Sequence, residues 1–245
     1  MVREPPAVLA ARVAAALTAL AAFDLAAPHL GHRVGAPLEV AGLALVSLPL
    51  ATLVPRAIRP PTGVNTPWLA AIVASVLATV VLIWAGYPGT PATLTKLCAA
   101  SLLGLALGSL LQSAAEVVAI ALLIAAVDIY SVAAGPTRVI VEHHVEVLND
   151  FTLAFHPIGS NGVAQIGSSD FLFFAVFVAA ARRLGLRGDL SWLAMTGSFG
   201  ATLLLAFVFD RALPALPLLS LSFLLANVDL LQARMRGRTG SPERE

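Results

Sequence analysis

Two carboxylates stand in stretches of this sequence that otherwise hold almost no charge. Asp128 lies in Ala125-Ala126-Val127-Asp128-Ile129-Tyr130, and Asp170 lies in Ile166-Gly167-Ser168-Ser169-Asp170-Phe171. An ionised carboxylate in hydrocarbon costs several kcal/mol, so such residues face a wet interior and do chemistry there. Two that share one site hold one proton between them, which makes one member an acid and the other a base. A third segment, Leu213-Pro214-Ala215-Leu216-Pro217, follows near the C-terminus. Its two prolines lack N–H donors and disturb the start of any helix that begins there.

The elements that must position these residues are set by composition. Hydrophobic residues make up 58% of the chain and charged residues 12%, with a mean hydropathy of +0.88. Soluble domains carry about a quarter charged residues, so the expectation is an all-α polytopic membrane protein. A single cysteine, Cys98, excludes an internal disulfide and a cysteine-based metal site. The net charge of +1 and the absence of a basic patch interleaved with aromatics give no sign of nucleic-acid binding. The apolar stretch after Pro6 has no small-residue cleavage site and reads as a retained helix rather than a signal peptide.

Apolar runs of about 20 residues give eight expected spans. They lie near Ala7–Ala27, Pro37–Val54, Pro67–Ala85, Ala92–Leu111, Ala114–Ala134, Gly162–Ala181, Leu190–Phe209 and Ala212–Leu231. Residues 1–112 then hold the N-terminal helices, and residues 113–245 hold both aspartates and the Pro-Ala-Leu segment, within one membrane domain. The fourth and fifth runs meet at Gln112-Ser113 with almost no loop. The longest polar insertion, residues 137–161, separates the two aspartate helices. Abundant Ala, Gly and Ser suit close helix packing in lipid.

Counting along these spans places the three segments at one level. Asp128 stands seven residues before Gly135, and Asp170 stands eight after Gly162. At 1.5 Å per residue both lie about 10–12 Å below the same boundary. Pro214 lies a few residues into the last span from that side. Positive charge fixes the expected orientation. Arg3, Arg56, Arg59, Arg182, Arg183, Arg187, Arg234, Arg236, Arg238 and Arg244 fall on one set of ends, against Arg33, Arg138, Arg211 and Lys96 on the other. Both termini are therefore expected inside, with the 137–161 insertion outside.

The remaining acidic residues have plainer roles. Asp24, near Pro28, is expected to hydrogen-bond across a helix interface, and Asp210 and Asp229 to be interfacial. Glu116 starts a helix, where the dipole favours a carboxylate. A zinc protease needs His-Glu-x-x-His on one helix face, and no such run occurs. Glu142-His143-His144-Val145-Glu146 is rich in ligands but sits in the polar insertion, as a solvated face. A membrane serine protease needs a histidine base at the depth of its nucleophile. His29, His32, His143, His144 and His156 all fall in loops.

These segments resemble the presenilin and signal peptide peptidase family of intramembrane aspartyl proteases, in a prokaryotic-type form. That family carries one aspartate in a helix, a second in Gly-x-Gly-Asp at the next helix, and Pro-Ala-Leu in its last. Ala212-Leu213-Pro214-Ala215-Leu216-Pro217 matches the last motif with its flanks. Gly167-Ser168-Ser169-Asp170-Phe171-Leu172-Phe173-Phe174 resembles the second motif and the aromatics after it. Gly135-Pro136-Thr137-Arg138-Val139-Ile140-Val141-Glu142 resembles the run after the first aspartate. The resemblance spans about Glu116 to Leu219. It departs from the family at Ser169, where the second glycine falls, and at Val127, where a tyrosine usually precedes the aspartate. The family has nine spans, and eight are counted here.

The resemblance implies hydrolysis of peptide bonds within transmembrane segments. Asp128 and Asp170 would be catalytic, and Gly167, Ser169, Pro214, Ala215 and Leu216 would position substrate. The ionised carboxylate takes a proton from water, which attacks the scissile carbonyl, while its protonated partner donates to the carbonyl oxygen. No metal or organic cofactor is needed. A helical substrate must unwind first, because its carbonyls are tied up in its own hydrogen bonds. The inferred orientation resembles that of signal peptide peptidase and points to signal-peptide-like or type II substrates in a prokaryotic plasma membrane. Partners are then the substrate segment and the bilayer. A second class stays open: a transporter or scaffold using the two aspartates as a proton relay. A prepilin-type peptidase is a third, against which the Pro-Ala-Leu and the lack of a cysteine-rich loop argue.

Overall fold

The computed structural model describes residues 5–30, 35–61, 65–87, 89–133, 150–160, 162–211 and 213–239. Among these residues the chain forms eight helices and one two-stranded sheet. Helix α1 (Pro6–Ala26) opens on a proline, whose missing N–H costs nothing at that position. Helix α2 (Ala36–Ala57) carries a π-helical turn at Leu43–Ser47, immediately before Pro49. Proline removes a donor and clashes with the carbonyl four residues back, and the wider turn absorbs both. Helix α3 (Thr66–Trp84) is capped by Asn65, whose side chain accepts from the Trp68 N–H at 3.2 Å. Helices α4 (Thr90–Leu110) and α5 (Ala114–Ala133) are joined by three residues, as the tight hairpin at Gln112-Ser113 requires. Ser113 and Glu116 form a capping box there: the Glu116 N–H donates to Ser113 Oγ at 3.2 Å, and the Gln112 N–H donates to Glu116 Oε2 at 2.9 Å.

Strand β1 (Thr152–Phe155) pairs antiparallel with β2 (Ala164–Gly167), with Thr152 opposite Gly167 and Phe155 opposite Ala164. Helix α6 (Ser168–Arg183) follows β2 directly. Helix α7 (Gly188–Phe209) ends at Asp210, which takes a left-handed conformation with φ 49°. Helix α8 (Leu216–Thr239) closes the described chain. Seven of the eight helices are long and apolar enough to cross a membrane. The protein is an integral, polytopic helical membrane protein.

Two expectations about spans are corrected. The run from Gly162 does not enter as helix: its first residues form β2, and the helix begins at Ser168. Gly162 and Gly167 resist helix formation, and pairing with β1 satisfies the backbone between them. Helix α6 is therefore only 16 residues long. The last span begins at Leu216 rather than Ala212, so Leu213, Pro214 and Ala215 form a non-helical lead into α8.

Helix α6 sits at the centre, packed by α4, α2, α7 and α8. Its contact with α4 is close and extensive. A Cβ on Gly104 would stand 2.1 Å from the Leu172 carbonyl oxygen and 2.7 Å from Ala175 Cβ. One on Gly108 would stand 2.4 Å from the Val176 oxygen and 2.7 Å from Ala179 Cβ. Small residues four apart on both helices let the backbones touch, as in membrane GxxxG pairs. The other sides of α6 are held by aromatics. Phe177 stacks on Phe223 of α8 at 4.6 Å between ring centroids, and Phe171 and Phe174 tilt against Phe199 of α7 at 5.5 and 5.7 Å. Buried Asn227 ties α8 to α7, donating to Ser191 Oγ at 2.7 Å and accepting from the Arg187 N–H at 2.9 Å.

Candidate active site

Asp128 and Asp170 line the same cavity, of about 290 Å³. Asp128 projects from α5 five residues before Ala133, and Asp170 from the first turn of α6. Both side chains are half-buried. No hydrogen bond joins them among the described residues; the shared cavity is what relates them. Asp170 reaches the cavity from the first turn of its helix, not from eight residues inside a long one. Strand β2 pairs with β1 and leads straight into α6, and Asp170 follows three residues after it ends.

Local sequence explains how each carboxylate is held. Asp170 folds back over Gly167, where an added Cβ would stand 3.2 Å from Asp170 Oδ2 and 3.2 Å from Ser169 Oγ. Glycine keeps that approach open. Asp128 accepts the Leu216 backbone N–H on Oδ2 at 3.0 Å. That donor belongs to the first residue of α8, whose amide has no partner within its own helix. Anions are favoured there by the dipole as well.

Of the residues expected to position substrate, Gly167, Ser169, Pro214 and Ala215 all line the cavity. Leu216 is buried beside them and reaches Asp128 through its N–H. The run Gly135 to Glu142 and the Glu142–Glu146 cluster lie outside the described residues. Gln165, Thr152 and Thr202 add polar groups to the cavity, among apolar walls from Leu48, Phe199 and Leu203. Sequence reasoning passed over all three. Gln165 had a signal, as a polar residue two positions before Gly167 in an apolar run.

The hairpin that leads into Asp170 is anchored on two sides. Along the outer edge of β1, Thr93 of α4 exchanges hydrogen bonds with the N–H and carbonyl of Ala154, both at 3.1 Å. Lys96 donates to the Thr152 carbonyl at 3.0 Å. Lys96, counted in the sequence only as a charge near a span end, is thus a buried edge cap. Past β1, the His156 N–H donates to Asp24 Oδ1 at 2.8 Å, and the Thr90 hydroxyl donates to Asp24 Oδ2 at 2.5 Å. Asp24 is buried and bonds across a helix interface, as expected. Asp229 pairs on the surface with Arg187 at 2.6 Å.

A second, larger cavity of about 770 Å³ lies between α3 and α4 and reaches the start of α6. Its walls are mainly apolar, including Val76, Val80 and Leu103, and Ser169 lines both it and the aspartate cavity.

Fold and cavity together define a polytopic helical membrane protein in which two helix-borne carboxylates line one cavity. No protein-family model matches the chain. Over 61 residues it is 39% identical to a presenilin-like protein of Arabidopsis thaliana. That stretch is 24% of this chain and 15% of the plant protein, so the likeness is local and spans a small part of that relative.

Proposed function

We propose that this protein is an intramembrane aspartyl protease that hydrolyses peptide bonds within transmembrane segments. The observation that carries the proposal is the meeting of Asp128, Asp170 and the Pro-Ala-Leu lead in one cavity, with the Leu216 N–H on Asp128. The local presenilin-like identity supports the same reading.

In this reading the pair holds one proton and titrates as a unit. The ionised member draws a proton from water as that water attacks the scissile carbonyl, and the other donates to the carbonyl oxygen. The leaving nitrogen then takes a proton from the pair. An extended substrate has two places to lie. Strand β2 is paired with β1 on one edge, while Gln165, Ile166 and Gly167 border the cavity. Across from them stands the non-helical Leu213–Ala215 lead, whose Pro214 offers a carbonyl but no donor. Ser169, being small, leaves the approach to Asp170 open, and the groove between α3 and α4 ends at it. With the arginine-rich end inside, the site lies in the outer half of the membrane and suits signal-peptide-like or type II segments.

The test is mass spectrometry of a transmembrane peptide incubated with the purified protein in liposomes, beside Asp170→Ala. New termini within the apolar segment that vanish in the variant are expected. Intact peptide in both samples across several substrates would move the assignment to a proton relay through the same aspartates.

A further inference from the structure

At the end of the bundle away from the aspartates, five arginines surround one cavity of about 610 Å³: Arg12, Arg56, Arg59, Arg182 and Arg183 line it, with Gly188 at its rim. Three of them also build its walls. Arg182 donates to the carbonyls of Ile58, at 2.6 Å, and Arg56. Arg183 donates to the Ser109 carbonyl at 2.5 Å. Arg56 pairs with Asp189 at 2.8 Å and lies 4.4 Å over the Trp192 ring. Asp189 is the partner of Arg56 alone in that pair, and its carboxylate is largely exposed. Arg56 and Arg59 both repel the charge on Arg182. Guanidiniums gathered around one space favour an anion within it.

The shape of the adjoining space says which anion. A second cavity, of about 430 Å³, shares Arg12, Arg56 and Ala57 with the first. It continues inward between α1 and α2, along Ala15, Ala16 and Ala19 on one side and Leu50 and Leu53 on the other. From Arg12 to Ala19 and from Arg56 to Leu50 the slot runs about 10 Å toward the membrane centre. A free phosphate would satisfy the arginines and leave this slot bare. A glycerophospholipid fills both: its phosphate meets the guanidiniums, which grip phosphate oxygens in pairs, and an acyl chain lies along the alanines.

We propose that this composite site binds one anionic phospholipid, with its headgroup among Arg12, Arg56, Arg59, Arg182 and Arg183 and an acyl chain between α1 and α2. The site is independent of the aspartates and stands whether or not the protein cleaves peptides. An arginine-lined headgroup site at this end also fits the leaflet in which anionic lipids concentrate.

Native mass spectrometry of the delipidated full chain in detergent tests it. Phosphatidylglycerol and phosphatidylcholine of matched chains are titrated separately, with inorganic phosphate as competitor. Phosphatidylglycerol is expected to bind at least about tenfold more tightly. The variant Arg59→Gln, which spares Arg56, Arg182 and Arg183, should lose about fivefold. Filling the slot with Ala15→Phe/Ala19→Phe should weaken the lipid without charge change, and it carries the test if the arginine variant does not fold. Equal retention of the two lipids, or full preference in both variants, overturns the proposal. Displacement by millimolar phosphate with no effect of slot filling overturns the lipid assignment in favour of a free anion.

Discussion

The Leu216 backbone N–H donates to Asp128 Oδ2 at 3.0 Å, linking residues 88 positions apart in the chain. One bond thereby couples the start of α8 to the carboxylate of α5. Asp128→Asn keeps an acceptor for that N–H and loses the charge. Asp128→Ala loses both. Peptide cleavage in liposomes should fall by about 100-fold or more in each variant. Thermal unfolding in micelles should separate them, with the alanine variant less stable by about 1–3 kcal/mol and the asparagine variant close to the parent. Equal stability of the two would show that the Leu216 contact contributes nothing to folding.

Gly104 and Gly197 offer a contrast between two helical glycines. Around Gly197 nothing lies within 4 Å of an added Cβ, whereas at Gly104 the Leu172 oxygen is 2.1 Å away. Gly197→Ala should stabilise by about 0.5–1 kcal/mol. Gly104→Ala should destabilise by about 1–3 kcal/mol, because α4 and α6 must separate. The shift also moves Asp170, so cleavage should fall with it. Unfolding curves and peptide assays on the pair of variants check both signs.

Ser169 is exposed and stands between two cavities. Ser169→Gly should preserve or raise the cleavage rate, since it only removes bulk beside Asp170. Ser169→Phe should lower it at least about tenfold by closing the passage, with thermal stability unchanged because the side chain packs against little. Full activity in the phenylalanine variant would show that substrate reaches the aspartates by another way.

Asp24 accepts from the His156 N–H and the Thr90 hydroxyl, and its Oδ2 lies 3.1 Å from His156 Nδ1. Asp24→Ala strands these buried partners and should cost about 3 kcal/mol or more, while Asp24→Asn costs less. Hydrogen exchange should locate the loss in the β1–β2 hairpin, where amides of residues 152–167 exchange faster. Faster exchange confined to α1 would show that the hairpin does not depend on this anchor.

Much of the site could be read from residue type alone. Asp128, Asp170, Gly167 and Pro214 each break the local pattern, since a charge in an apolar run or a proline pair at a helix start has few innocent explanations. The bundle followed from runs of apolar residues, which need only length to be recognised. What escaped was short or depended on a partner. Strand β2 is four residues inside a run apolar enough to pass as helix, and its pairing with β1 is set by a contact that periodicity does not report. The small-residue content suited close packing in general, yet nothing in α4 singles out Gly104 and Gly108 or names Ala175 and Ala179 as the surfaces they meet. Lys96 looked like a boundary charge because the strand it caps was itself unseen.

The fit of α4 against α6 bears on how the protein is made. Helix α6 is short, begins with a carboxylate in its first turn and ends on two arginines, a poor candidate for stable insertion by itself. Its receptor is the Gly104–Gly108 face, synthesised some seventy residues earlier and separated from it by α5 and the hairpin. During biogenesis the earlier helix is in place before its partner leaves the ribosome, and it gives the later one a protein surface to enter against instead of lipid. Truncated chains lacking the first four helices should therefore leave the second aspartate outside the membrane.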